Sequence, residues 1–223
     1  MAKPRPYQAG LAAFRAKNYA AALLEFFPLA EQGDARSQAY LGLMHEYGLG
    51  VSKDNVKAER WHSLAALQGV AVSQFRLGRM YMKGDGVAFD LGEAIMWHQQ
   101  AAEQGYAPSQ YELGLENYHG GRLKLNLHRA LRWFSKGAAQ NHAYSQYMMG
   151  EIYRFGGPVK KDSKKAIEWY RKAAAQGVKE AAPKLKSLLA IHAPNDGKAA
   201  VKPTVQPKKT ATKPATRPND VAV

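Results

Sequence analysis

The chain repeats itself every 36 residues, and that period constrains its fold more than any single motif within it. Gly42, Gly78, Gly114 and Gly150 form one column at this spacing. Trp61, Trp97, Trp133 and Trp169, all the tryptophans of the protein, form another. Ala58, Ala94, Ala130 and Ala166 make a third, and Gly48, Gly84, Gly120 and Gly156 a fourth. A period of roughly 20–50 residues marks a stacked array in which each unit buries its apolar face against the next. The fullest copy is Leu77-Gly78-Arg79-Met80-Tyr81 followed by Gly84-Asp85-Gly86-Val87, Asp90, Ala94, Trp97, Ala101-Ala102 and Gly105.

Four full units lie at 34–69, 70–105, 106–141 and 142–177, each divided into two helical segments. Segment A, 71–83 in the second unit, has apolar or small residues at 71, 75, 77, 78, 80 and 81, a helical spacing rather than an alternating one. Segment B, 91–104, sets Ala94, Trp97, Ala101 and Ala102 on one face. Asp54, Asp90, Asn126 and Asp162 stand where N-caps belong. Gly69, Gly105, Asn141 and Gly177 end segment B, and asparagine is the residue that best replaces glycine in a left-handed C′ position. Small residues such as Ala35, Ala39 and Gly42 are expected to let neighbouring helices approach closely. The tryptophan column is expected to supply the large buried surface of each unit. Trp97→Ala should then cost roughly 3–5 kcal/mol and uncouple the two halves; an unchanged single melt of that variant would contradict this.

The ends depart from the pattern. Residues 1–6 hold two prolines and read as a flexible terminus, and 7–33 as a degenerate repeat without the Leu-Gly pair. Residues 180–191 read as a capping helix. The stretch 194–223, rich in Lys, Pro, Thr and Ala and without aromatics, is expected to be disordered, being unable to bury enough surface to offset its ordering entropy.

Taken together the columns resemble the Sel-1-like repeat, a relative of the tetratricopeptide repeat. The match is nearly full over 71–105, good over 35–69 and 143–177, and partial over 107–141. The resemblance implies an all-α fold, a right-handed superhelix (solenoid) of about five helix pairs whose A helices line a concave surface. It also implies an adaptor or scaffold role, commonly in bacterial pathways. Some relatives are cysteine-rich and braced by disulfides; this chain has no cysteine.

No motif points to catalysis. The seven histidines form no His-x-x-x-His pair or other metal-ligand spacing, so no metal or cofactor is expected. His62 and His98, beside the tryptophans, are expected at solvent-facing edges. The Gly84-Asp85-Gly86 loop is not followed by Lys-Ser/Thr and reads as a turn, not a phosphate cradle. No Gly-x-Ser-x-Gly occurs, so an enzyme is not expected. No run of about 18 apolar residues exists to span a membrane. The N-terminus lacks the apolar core of a signal peptide, which fits a cytoplasmic chain or a periplasmic or secreted one whose leader has been removed.

Function is expected where the copies differ. On segment A the varied positions read Arg36/Tyr40/Leu43, Val72/Arg76/Arg79, Pro108/Glu112/Leu115 and Tyr144/Met148/Glu151. These are expected to face a protein or peptide partner along the concave side, or else to be unconstrained solvent-facing residues. The third unit is irregular: Glu116 and Asn117 replace Met80 and Tyr81, Arg122 replaces Gly86 and Gly137 replaces Ala101. Either Tyr118 takes the aromatic slot and Glu116 turns to solvent, or Glu116, Asn117 and His119 form a polar pocket for a basic or amide group. The formal net charge of +14 is concentrated at the C-terminal end, where residues 154–223 carry 16 basic and 5 acidic side chains. An alternative role is therefore a tether to an anionic polymer or membrane surface.

Overall fold

The computed structural model describes residues 6–121 and 123–192; the expectations for 194–223, for most of 1–6 and for Arg122 lie outside them. Among the described residues the chain is helical, with no strand. Helices α1 (Pro6–Arg15) and α2 (Tyr19–Glu31) make a first antiparallel pair. Four pairs follow: α3 (Ala35–Tyr47) with α4 (Asn55–Leu67), α5 (Ala71–Lys83) with α6 (Leu91–Glu103), α7 (Ala107–His119) with α8 (Leu127–Ala139), and α9 (Ala143–Phe155) with α10 (Ser163–Ala175). A last helix, α11 (Ala181–His192), packs on α10. Each helix rests mainly on its neighbours in sequence, as a solenoid requires.

Local chemistry sets the helix ends. The side chain of Asp54 accepts from Lys57 N–H at 3.0 Å, that of Asn126 from Arg129 N–H at 2.9 Å and that of Asp162 from Lys165 N–H at 3.0 Å. Asp90 accepts from both Gly92 and Glu93 N–H groups. Asn18 does the same for α2 through Ala21 N–H. At the other end, Asn141 adopts φ 62° where Gly105 has 91°, so both occupy the left-handed region that stops a B helix.

The packing differs from expectation in one respect. The ring that fills each pair comes from the residue after the tryptophan. His62 and His98 are each 1% exposed, and Phe134 and Tyr170 are wholly buried. Each lies over the glycine of the facing A helix: Gly42 under His62, Gly78 under His98, Gly114 under Phe134 and Gly150 under Tyr170. The expectation of surface histidines is thus overturned. On the B helix, positions 58, 62 and 65 recur at i, i+4 and i+7 and face the A helix squarely, while the tryptophan, one residue earlier, is turned towards the edge. Only Trp97 is buried; Trp61, Trp133 and Trp169 are half-buried. The small-residue expectation is also corrected at one column, since Ala39 is followed by Phe75, Tyr111 and Tyr147, which pack as large rings.

A second ladder joins the units. Gln38, Gln74, Gln110 and Gln146 are buried, and their amides donate to the carbonyls of Ala30, Ala66, Ala102 and Ala138 at the end of the preceding B helix. Their own side-chain oxygens accept from Gln68, Gln104, Gln140 and Gln176 in turn. Each bond adds about 0.5–1.5 kcal/mol and fixes the register of one unit on the next.

Candidate interaction surfaces

Of the varied A-helix positions, several are occupied by packing between units. Tyr40 is buried, stacked on Phe26 at 4.7 Å and edge-on to Phe14 at 5.0 Å. Leu43 lies in the same cluster, and Met148 in the cluster of Tyr111 and Phe134. Arg76 is 2% exposed; its Nη1 donates to Tyr47 Oη at 2.6 Å and to Glu46 Oε1 at 3.2 Å, both on the preceding A helix. The expected solvent-facing positions of Tyr40, Leu43, Arg76 and Met148 are corrected accordingly. The i+4 side chains of the stripe, Tyr40, Arg76 and Met148, turn towards the A helix before their own.

The rest stay accessible. Arg36 is exposed, with its guanidinium 4.4 Å from the Tyr7 ring centroid. Arg79, Glu112, Leu115 and Glu151 are half-buried, as are Val72, Pro108 and Tyr144. Glu151 accepts a short hydrogen bond from Tyr170 Oη and stands 3.9 Å from Lys184 Nζ. Burial, reinforced by that carboxylate, pushes the Tyr170 hydroxyl pKa up. Arg79 lines a cleft of about 230 Å³ at the C-terminal ends of α3 and α5, with Lys53, Asn55 and Lys83 beside Glu46, Tyr47, Met80 and Asp85. Asn55 Oδ1 is buried there with no hydrogen-bond partner among the described residues.

The polar trio of the third unit is not gathered into one pocket. Asn117 is buried and donates to Leu113 O within its own helix at 2.7 Å. His119 is exposed beside Tyr118, about 200° around the helix from Asn117. Glu116 is half-buried, with Oε2 buried and unbonded among the described residues near Gly121. Tyr118 packs edge-on to Phe134.

Glu46, His62 and Ser73 form a chain that sequence reading missed. Ser73 Oγ lies 3.2 Å from His62 Nδ1, and His62 Nε2 lies 3.5 Å from Glu46 Oε2. Burial dominates at His62 and lowers its pKa, against the pull of Glu46. Burial opposes ionisation of Glu46, but its contacts with His62 and the positive charge of Arg76 outweigh that and hold its pKa low. The ion pair is therefore Arg76 with Glu46, and His62 is neutral. Ser73 is fully buried, so its hydroxyl meets no substrate. Among the described residues no three His, Asp or Glu side chains converge on a metal position. No described helix is long and apolar enough to cross a membrane.

A larger groove of about 540 Å³ runs along α2 and α4, lined by Leu23, Phe27, Val51, Trp61 and Leu64 with His45, Lys57 and Arg60. No reading of the sequence singled it out.

Comparison with known proteins places the geometry. The family model of the Sel1 repeat matches at residues 35–70, 71–106, 107–142 and 143–178. A protective antigen of uropathogenic Escherichia coli strains, displaying an SLR fold, superposes with a TM-score of 0.76 at 31% identity. That alignment covers 83% of this chain but only 41% of the antigen, so this chain spans less than half of its length. A Sel1 repeat protein from Oxalobacter formigenes gives a TM-score of 0.78 at 29% identity, over 84% of this chain and 76% of that one. A putative sel1 repeat protein from Klebsiella pneumoniae shares the fold, with a TM-score of 0.53 at 20% identity over 82% of this chain and 91% of its own. No curated protein matches the chain in sequence.

Proposed function

The chain belongs to the Sel1 repeat family, and from that premise we propose that it is a non-enzymatic interaction scaffold holding a partner peptide or helix on the A-helix side of the array. Proteins of this family generally serve as protein–protein interaction scaffolds. The observation that carries the finer reading is the cleft between α3 and α5. Its lining carries three cations, Lys53, Arg79 and Lys83, against two carboxylates, Asp85 and Glu46, and Glu46 is also paired with Arg76. The unpartnered Asn55 Oδ1 adds an acceptor suited to a main-chain N–H. A peptide carboxylate beside an amide would satisfy both, and Leu115, in the Arg79 column one unit along, offers an apolar contact. The test is affinity capture with wild type and with the Arg79→Ala/Lys83→Ala/Leu115→Ala variant, read by mass spectrometry. A partner retained by wild type and lost by the variant supports this surface; identical capture sinks it.

A second reading rests on charge. Lys164, Lys165, Arg171 and Lys172 are exposed on α10, within the basic region 154–223. They suit an anionic polymer or membrane surface. Binding of that kind falls steeply as salt rises, whereas cleft binding should persist at about 0.3 M salt and survive removal of residues 194–223.

A further inference from the structure

The groove on α2 and α4 departs from the chain's own repeat. One unit later, Leu23 is replaced by Glu59, Phe27 by Ser63 and Leu64 by Gln100. At these three positions the equivalent face of α4 and α6 is polar, with Ser63 Oγ donating to Glu59 Oε1 at 2.7 Å, while Met96 stands in place of Arg60. Stacking therefore does not require apolar residues here. Yet Phe27 is 44% and Leu64 46% exposed, and Leu24 and Leu67 extend the same helix surfaces into solvent. Phe27 stands edge-on to Trp61 at 6.2 Å, which gives the groove an aromatic wall. Contiguous exposed apolar surface of this kind marks an interaction site.

The rim decides the occupant. Lys57 and Arg60 border the groove from α4 and both are exposed. Among the described residues Lys57 Nζ pairs with Asp54 alone, at 3.6 Å, and Arg60 makes no ion pair. No carboxylate among the described residues lines the groove. The chain's own stretch 194–223 is basic and would be repelled. We propose that this groove docks an acidic amphipathic helix of a partner protein, with large apolar side chains at i and i+4 seated between Phe27 and Trp61 and flanking carboxylates on Lys57 and Arg60. It is a second docking surface, on the B-helix side, independent of the α3–α5 cleft.

The probe is a fluorescein-labelled peptide of roughly 15 residues with Leu and Phe at i and i+4 and Glu elsewhere on the helix. Two controls keep everything but one feature: Leu and Phe changed to Ala, or Glu changed to Lys. By anisotropy with the full chain, the acidic apolar peptide should bind about tenfold or more tighter than either control. Phe27→Ser with Leu64→Gln, the residue types the next unit uses, should abolish the preference while leaving circular dichroism and melting temperature near wild type, since both side chains are exposed. Arg60→Glu should shift preference towards the lysine peptide, and Arg79→Ala/Lys83→Ala, which alters the separate α3–α5 cleft, should leave the affinity for this peptide unchanged. Equal binding of the alanine peptide overturns the proposal, as does full affinity in the Phe27→Ser/Leu64→Gln double variant. A dimer in sedimentation that this double variant dissolves would give the groove to a second copy instead and equally overturn it.

Discussion

A methyl group added at Gly78 would stand 2.8 Å from Cε1 and Nε2 of His98, inside any allowed contact. The glycine is therefore part of the ring's seat. Gly78→Ala should destabilise the array by about 1–2 kcal/mol, because an overpacking cost of roughly 1–3 kcal/mol exceeds the helix-propensity gain of about 1 kcal/mol. Urea midpoints would show it; an equal or raised midpoint would mean that α5 and α6 separate freely.

His98 also ties stability to acid. Burial, aided by the charge of Arg79, lowers its pKa from 6.5 to about 3. Between those values the unfolded chain takes up a proton that the folded chain refuses. Stability is thus unaffected above about pH 6.5 and falls by up to about 1.4 kcal/mol per pH unit below it. His98→Phe, which places at Gly78 the ring that Phe134 places at Gly114, should make this limb shallower, the share of the buried His62 remaining. Denaturation at about pH 7, 5 and 4 checks it; parallel curves for variant and wild type would refute it.

The ring after each tryptophan, not the tryptophan, should dominate the third unit. Phe134→Ala empties a wholly buried site and should cost about 3–5 kcal/mol. Trp133 is half-buried beneath Lys136, whose Nζ lies 4.6 Å from its ring. Its truncation to alanine should cost about 1–2 kcal/mol, in proportion to the smaller area lost. The reverse order in thermal or urea melts would restore the tryptophans to the leading role.

Arg76 and Glu46 should behave as a pair. Arg76→Met alone leaves Glu46 and Tyr47 Oη without their cation, a loss of about 2–4 kcal/mol that is moderated because Glu46 keeps some contact with water. Adding Glu46→Met should recover most of it, since hydrophobic replacement of a buried pair is often neutral. The chain already makes both replacements, with Met148 and Met82 in the equivalent columns. A double-mutant cycle without coupling would show that the two are independent.

The period, the segment boundaries near 71–83 and 91–103 and the asparagine at 141 were legible from sequence because they depend on local rules: helical spacing, caps and left-handed stops. The Gln38 and Gln68 columns carry the same period and were equally visible, but polar side chains at regular spacing suggest solvent until a carbonyl is seen to receive them. The groove residues Leu23, Phe27 and Leu64 are brought together only by the packing of the degenerate first unit on the unit beside it. Glu116, Asn117 and His119 suggested a pocket, as one of two readings, because Glu116 and Asn117 break the core columns of the repeat, yet the helix turns Asn117 and His119 to opposite sides.

The sequence by itself determined the all-helical solenoid, since a 36-residue unit with one apolar stripe per helix can bury that stripe only against its neighbours. Which side chain of each stripe reached the interior was decided by tertiary structure alone. The step of about 100° between Trp97 and His98 is small against the width of an apolar stripe. Only the place of Gly78 on the facing helix, with room for a ring and none for a methyl group, selects the histidine for the seat. The same inter-helix geometry turned Arg76 inward to Glu46 and left Phe27 and Leu64 open to solvent.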